Sequence, residues 1–257
     1  MLGCLAVAPA LAHAAEAADT PVTDDEAVIQ LQEPTAPLRW FQLSDWYQPT
    51  LYGDEGIINQ VVFRTVLPFT INDSLFVTRL TQQVTVSATS GKVGFVDPEL
   101  ILIRVFSEAW GRWGLGFDLQ PPTGADNLTS HKLNVGPAIG FATSSNASVQ
   151  YGLYIRTYWS VSGESSAKDV GKVNLQPLYS LKLGHGQSLS LGQTQFVYDT
   201  IASRWNSLQV GLNYSRVFNL LGRRWTPNAE IDHDFENRKG NAMWTVRVGI
   251  TMFQKGP

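Results

Sequence analysis

A chain of 257 residues with 44% hydrophobic and 16% charged residues is ordered but poor in charge, and its length suits one large β domain or two small ones. The formal net charge of −3, with no run rich in Lys or Arg, excludes the electrostatic footprint that a nucleic-acid partner needs. No apolar run approaches the ~18 residues of a membrane-spanning helix; the longest apolar stretch is the interrupted LILIRVF of Leu100 to Phe106.

The chain opens on LGCLAVAPALAHAAEAAD, an apolar segment followed by small residues, with Ala12-His13-Ala14 as a cleavage signal before Ala15. Residues 1–14 are therefore expected to be a signal peptide, one that lacks the usual cationic start. Cys4 is the only cysteine, so cleavage would leave no thiol for disulfides. From 15 to 39 the composition changes to Glu16, Asp19, Asp24, Asp25, Glu26 and Glu33 against Arg39, with Pro21, Pro34 and Pro37. Such a stretch is expected to be a flexible acidic periplasmic segment. A plug folded into a barrel lumen is its functional alternative.

Residues 40–257 carry the β signal. Strand-like segments fall at roughly 40–50, 57–69, 75–88, 98–109, 112–120, 131–143, 148–161, 172–183, 188–198, 207–218, 224–235 and 242–253. Most exceed the usual soluble strand of about five or six residues and match the roughly nine to eleven that cross a bilayer at a tilt. Their side chains alternate. In the fifth, Trp113, Leu115, Phe117 and Leu119 oppose Arg112, Gly114, Gly116 and Asp118; in the last, Trp244, Val246, Val248 and Ile250 oppose Thr245, Arg247 and Gly249. The connectors INDS, WG, SSNA, GHGQ and NLLGR are short and alternate with longer ones such as PPTGADNLTSH and SGESSAKDVG. The expected fold is all-β: an antiparallel transmembrane barrel of about twelve strands, with short periplasmic turns and longer external loops. A soluble lipocalin-like barrel would bury the apolar face instead. Glycines on the polar face, the strand number, and Phe69, Phe76, Trp110, Trp113, Phe218 and Trp225 around the short turns favour the membrane barrel. The last strand ends near Phe253, as that of outer-membrane proteins often does for assembly, although QKGP follows and Phe253 has inward parity.

WGRWGLGFDLQPPTGADNLTSHKLNVGPAIGF (Trp110 to Phe141), with QPTLYGDEGIINQVVFRTVLPF and DPELILIRVF upstream, resembles the outer-membrane proteins of the phenol-degradation MetA-pathway family, which also carry the label neuromedin U. The resemblance implies a barrel that moves small, aromatic or hydrophobic compounds across the outer membrane. It supplies no catalytic residues.

Parity assigns the lumen. Arg64, Arg79, Arg104, Arg112, Asp118, Lys132, Arg156, Lys182, Glu230, Asp232 and Arg247 are the candidate pore residues, with Glu108 and Asp234 on the same polar faces. Acid gathers on the strand of Glu230 and Asp232, so a transverse field across the lumen is expected. Twelve strands lie between a barrel that side chains fill and an open porin, which allows a narrow selective path or a salt-bridged, plugged interior. No catalytic motif, metal site or cofactor is expected. His131, His185 and His233 fall apart in sequence, and alternation sends His233 to the opposite face from Asp232 and Asp234. The expected function is a passive outer-membrane channel for a small-molecule solute, with outer-membrane lipid and the barrel-assembly machinery as partners. A closed structural or adhesion barrel is the alternative, and an outer-membrane lipid hydrolase a more distant one.

Overall fold

In the computed structural model, which describes residues 22–143 and 148–255, strand after strand is hydrogen-bonded to its sequence neighbour and the last to the first. The signal-peptide reading of 1–14 and the SSNA turn at 144–147 lie outside the described residues. The fold is a closed antiparallel 12-strand barrel with one short helix. Its strands are β1 (Leu38–Leu51), β2 (Ile58–Ile71), β3 (Ser74–Ala88), β4 (Glu99–Glu108), β5 (Gly111–Gln120) and β6 (Lys132–Thr143). They continue as β7 (Val149–Gly163), β8 (Gly171–Gly184), β9 in two pieces (Gln187–Ser190 and Gln195–Asp199), β10 (Arg204–Arg216), β11 (Arg223–Asp234) and β12 (Ala242–Lys255). Closure is at the β1–β12 seam, where Leu38 pairs with Lys255, Ser44 with Gly249 and Trp46 with Arg247. In hydrocarbon no water can satisfy an open strand edge, so only a sheet closed on itself can cross.

The alternation resolves into a lipid face and a lumen face. Leu43, Leu115, Tyr151, Leu212, Val248 and Ile250 are exposed on the outside. Gln150, Asn134, Asn213, Ser180, Thr245 and Thr251 are buried inside. Aromatics mark the periplasmic rim: Phe69 stacks on Phe76 at 5.6 Å, Phe106 on Trp113 at 4.2 Å, and Trp110 meets Phe141 edge-on at 6.2 Å. A second set, Tyr198 with Trp205 and His233 with Trp244, lies at the other end. Three two-residue rim turns are left-handed at both positions, Asn72-Asp73 (φ 46° and 60°), His185-Gly186 (55° and 70°) and Leu221-Gly222 (52° and 72°), the geometry that suits the twist of a hairpin.

β9 departs from the expected continuous strand. Between its pieces the chain turns into the lumen, with Gly192 at φ 54°, and the Gln193 N–H donates to Glu230 Oε1 at 2.6 Å. A Cβ on Gly192 would collide with the Glu230 carboxyl, so only glycine fits there.

The main correction concerns residues 22–37, expected to be a flexible acidic tether. Thr23 caps a helix, α1 (Asp24–Gln30), through a capping box with Glu26, and the chain then runs through Glu33 and Ala36 into β1. Ala27, Val28, Ile29 and Thr35 are wholly buried. Ala27, Val28 and Ile29 form one apolar cluster with Trp40, Val66, Val77, Ile101, Ile103, Val105, Tyr154 and Phe253 from the inner wall. The segment is a plug in the periplasmic half of the barrel. Its acids hid a compact apolar motif, AVI, whose burial contributes about 1.5–3 kcal/mol for Val28 and Ile29 each. Gly114 makes the room: a Cβ there would press on Ile103 and on Thr35 of the plug.

That apolar cluster also explains why β4 misled. Glu99, Ile101, Ile103 and Val105 face inward, so both faces of the strand are apolar, and Arg104 and Glu108 point out. Arg104, read as a pore residue, instead sits on the outer surface near the periplasmic rim. Its Nη2 donates to Ser74 Oγ at 3.0 Å and its guanidinium lies 5.0 Å from the Phe106 ring.

At the opposite end the motif loops are tied together by Asp97. Its carboxylate accepts from the Gly124 N–H at 2.9 Å, the Ser130 N–H at 2.8 Å and Ser130 Oγ at 3.0 Å, joining the loop before β4 to PPTGADNLTSH. Burial works to raise the Asp97 carboxyl, but the hydrogen bonds from Ser130, Thr129 and Gly124 outweigh it and hold the group below its ordinary 3.8. A carboxyl so depressed stabilises the folded loops at every pH above the ordinary value, and the contribution disappears as pH falls through the lowered one. Amide protection at Gly124 and Ser130 should therefore stay level above pH 3.8 and drop only below it. Asp97→Ala should lower that protection at neutral pH. For the lipid face, Val248→Arg or Leu212→Arg should cost roughly 2–4 kcal/mol in refolding into vesicles, whereas Gln209→Arg on the lumen face should be tolerated.

Candidate functional site

Above the plug the lumen is a polar vestibule. A cavity of about 410 Å³ opens there, walled by Trp46, Arg64, Arg79, Glu99, Arg156, Lys172, Gln193, Asp234 and Arg247 among others. Beneath it, Arg64, Arg79 and Gln193 also border a smaller space of about 50 Å³ against Leu31, Gln32, Glu33 and Pro34 of the plug. The inward turn of β9 thus places Gln193 at the level where vestibule meets plug.

Register brings the sequence candidates into a belt. Arg79 Nη2 lies 2.8 Å from Glu99 Oε1, and Arg156 Nη1 lies 2.5 Å from Glu99 Oε2 and 3.4 Å from Asp118. Tyr158 donates its hydroxyl to Glu99 Oε2 at 2.6 Å. Arg247 pairs across the β11–β12 ladder with Glu230 at 2.9 Å and with Asp232. Arg64 stands apart from these pairs, its Nε donating to Thr81 Oγ1 at 3.3 Å. Trp46 lies between two guanidiniums, with Arg247 4.6 Å and Arg64 5.8 Å from its ring. Ion pairs this deep in low dielectric hold only when the geometry is good and remaining lone pairs are met.

The acids of β11 do not stand opposite the arginines. Arg247 on the adjacent strand meets them directly, which replaces the expected transverse field with local pairing. Glu99, at the head of β4, joins Arg79 to Arg156 and had been passed over. Its signal was the odd-numbered parity of β4, masked by Ile101, Ile103 and Val105.

The remaining candidates lie at the two ends. Lys132, at the outer end of β6, reaches Asp169 of the loop between β7 and β8 at 3.0 Å. Lys182 is half-buried near the periplasmic end of β8. Arg112 anchors the plug: its Nε and Nη2 hold Glu33 at 2.7 and 2.6 Å as a bidentate fork, and Gln150 and Thr35 donate to the same carboxylate at 2.9 and 2.6 Å. Asp25 takes the Gly186 N–H, and Asp24 lies 3.4 Å from Arg224. His233 points outward onto Trp244 and Phe235 while Asp232 and Asp234 point inward, which separates the Asp-His-Asp cluster as parity requires.

No family model matches the chain, and no curated protein does. The likeness is to solved structures. The COG4313 outer membrane channel from Pseudomonas putida F1 superposes with a TM-score of 0.58 at 12% identity, over 84% of this chain and 94% of that one. The KdgM porin superposes with 0.51 at 13% identity, over 83% and 98%. The same porin in complex with disordered oligogalacturonate gives 0.51 at 12%, over 84% and 98%. The chain has the fold of porin-like outer-membrane barrels. At these identities the likeness extends to the fold alone, and the resemblance to the MetA-pathway family rests on its motifs.

The plug anchor can be tested by stability. Glu33 is buried and its partner nearly so, and removing one member of such a pair costs about 3–5 kcal/mol. Glu33→Gln should therefore lower the midpoint of heat-modifiable migration, and adding Arg112→Gln should recover part of the loss.

Proposed function

We propose that this protein is a passive outer-membrane channel for small organic solutes, which enter the vestibule from the outer end and pass when the plug at the periplasmic end yields. The observation that carries the reading is the junction itself, where a polar cavity of about 410 Å³ ends on a folded segment of the chain's own N-terminal side. A scaffold or adhesion barrel has no need of a polar-lined cavity. The polar wall favours solutes that carry a hydrogen-bonding or charged group over wholly apolar ones, and so narrows the aromatic and hydrophobic compounds that the family resemblance implies. Outer-membrane location follows from the same reading, since the lipid face matches a bilayer and the solved relatives by fold are outer-membrane channels.

The plug is what separates a channel from a closed barrel. Its apolar face is packed and its acids are paired, so the resting protein should conduct little. In planar bilayers the full chain should show rare, small openings, and the Glu33→Gln, Arg112→Gln double variant should open more often with the same unit conductance. Silence from both, with heat-modifiable migration proving correct assembly, would leave the closed scaffold as the better reading.

A further inference from the structure

The cations of the vestibule are not equivalent. Arg79 and Arg156 share Glu99, Arg156 also has Asp118, and Arg247 has Glu230 and Asp232. Arg64 has no carboxylate partner among the described residues. Its side chain is inward on β2, the residue is 8% exposed, and one guanidinium nitrogen is used on Thr81. A guanidinium carries five N–H donors in a fixed fork, so four of them are left for something other than Thr81. Leaving a charge of this kind without a counter-ion is costly, and the cost is recovered when an anion arrives.

The surroundings point the same way. Arg64 borders both the vestibule and the space over the plug, at the deepest level a solute from outside reaches. The two carboxylates on the vestibule wall are already engaged. Glu99 is held by two arginines and Tyr158, and Asp234 accepts the N–H groups of Leu208 and Glu236 at 2.8 and 2.9 Å. Gln60, Thr81 and Gln193 offer neutral polar groups around the fork. Arg64 stays in place without an acid because Thr81 and the Trp46 ring hold it, so the site is built before the ligand comes.

We infer that Arg64 is an anion-binding residue at the floor of the vestibule and that its ligand is the carboxylate of a small organic acid. Lys172, the other cation on the wall without an ion pair among the described residues, stands at the outer end of β8 in register with Asp199 and away from the floor. At Arg64 a planar fork with one uncompensated charge therefore matches a monovalent carboxylate bidentately, whereas a phosphate dianion would call for a second cation at the same level. The cavity of about 410 Å³ holds the rest of a small acid. The inference rests on the channel reading only for the route by which the acid arrives.

The test is equilibrium binding to the full chain, folded in a zwitterionic detergent at low salt, followed by titration calorimetry. Benzoate and gluconate are the probes, with benzyl alcohol and glucose as uncharged counterparts. At least one carboxylate should bind saturably and the uncharged compounds should not; which carboxylate binds tells a ring from a hydroxylated tail. Arg64→Gln should weaken binding at least about tenfold, as expected for a charge-assisted hydrogen-bonded pair. Arg64→Lys should weaken it less, and Arg104→Gln on the outer surface should leave it unchanged. The inference is overturned if neither carboxylate binds, if the uncharged compounds bind as well, or if correctly folded Arg64→Gln binds like the parent. Because no membrane is involved, Arg64-dependent binding by a protein that never conducts would defeat the channel reading alone. Conductance without binding would defeat this inference alone.

Discussion

The structure depends on closure of the β1–β12 seam. A sheet in hydrocarbon cannot leave backbone donors and acceptors unpaired, so the first strand must find the last, and that single requirement fixes which side of every strand faces lipid. Leu38 against Lys255 and Trp46 against Arg247 set the register. From it follow the outward rows of Leu, Val and Ile and an inner wall that carries Arg64, Arg79, Asp118, Arg156, Glu230, Asp232 and Arg247 on neighbouring strands. A wall so rich in charge must then satisfy itself or bind something.

Two solutions divide the lumen between them. In the periplasmic half the chain fills its own interior: Ala27, Val28 and Ile29 meet an apolar inner wall, and Arg112 grips Glu33 in a fork assisted by Gln150 and Thr35. In the outer half a polar cavity takes the place of packed side chains, and the charges around it close into pairs and triads. The inward turn of β9 at Gly192 marks the boundary, where Gln193 reaches both spaces. Twelve strands make a bore wide enough to need such filling and narrow enough for one short helix and its extension to supply it.

Much of the fold could be read from the sequence because its signal is periodic. Alternation in β5, β10 and β12 places Asp118, Gln209 and Arg247 on the polar parity, where these side chains are buried, and short turns such as Asn72-Asp73 set the parity of the ends. Reading failed where the period no longer separated two environments. β4 is apolar on both faces because its inner face packs on the plug cluster, so parity alone puts Arg104 inward and gives no sign of Glu99. The stretch from 22 to 37 reads as an acidic tether because its charges, Asp24, Asp25, Glu26 and Glu33, are all of one sign and Pro34 and Pro37 break the strand pattern. Each of those acids has a job that only the folded barrel reveals: Asp24 near Arg224, Asp25 under Gly186, Glu26 in the cap and Glu33 on Arg112. The pairing of Arg247 with Glu230 and Asp232 was equally out of reach, since it needs the cross-strand register.

The claim on which the rest stands is that the segment from 22 to 37 is folded inside the barrel. Hydrogen–deuterium exchange of the protein in lipid vesicles tests it directly. The Ala27 and Leu31 amides donate to Thr23 and Ala27 carbonyls at 2.9 and 3.0 Å within a buried helix, so both should exchange slowly, on the timescale of strand amides in β1 and β2. Exchange of residues 24–33 within seconds, while the barrel strands stay protected, would contradict the account and return this segment to a tether.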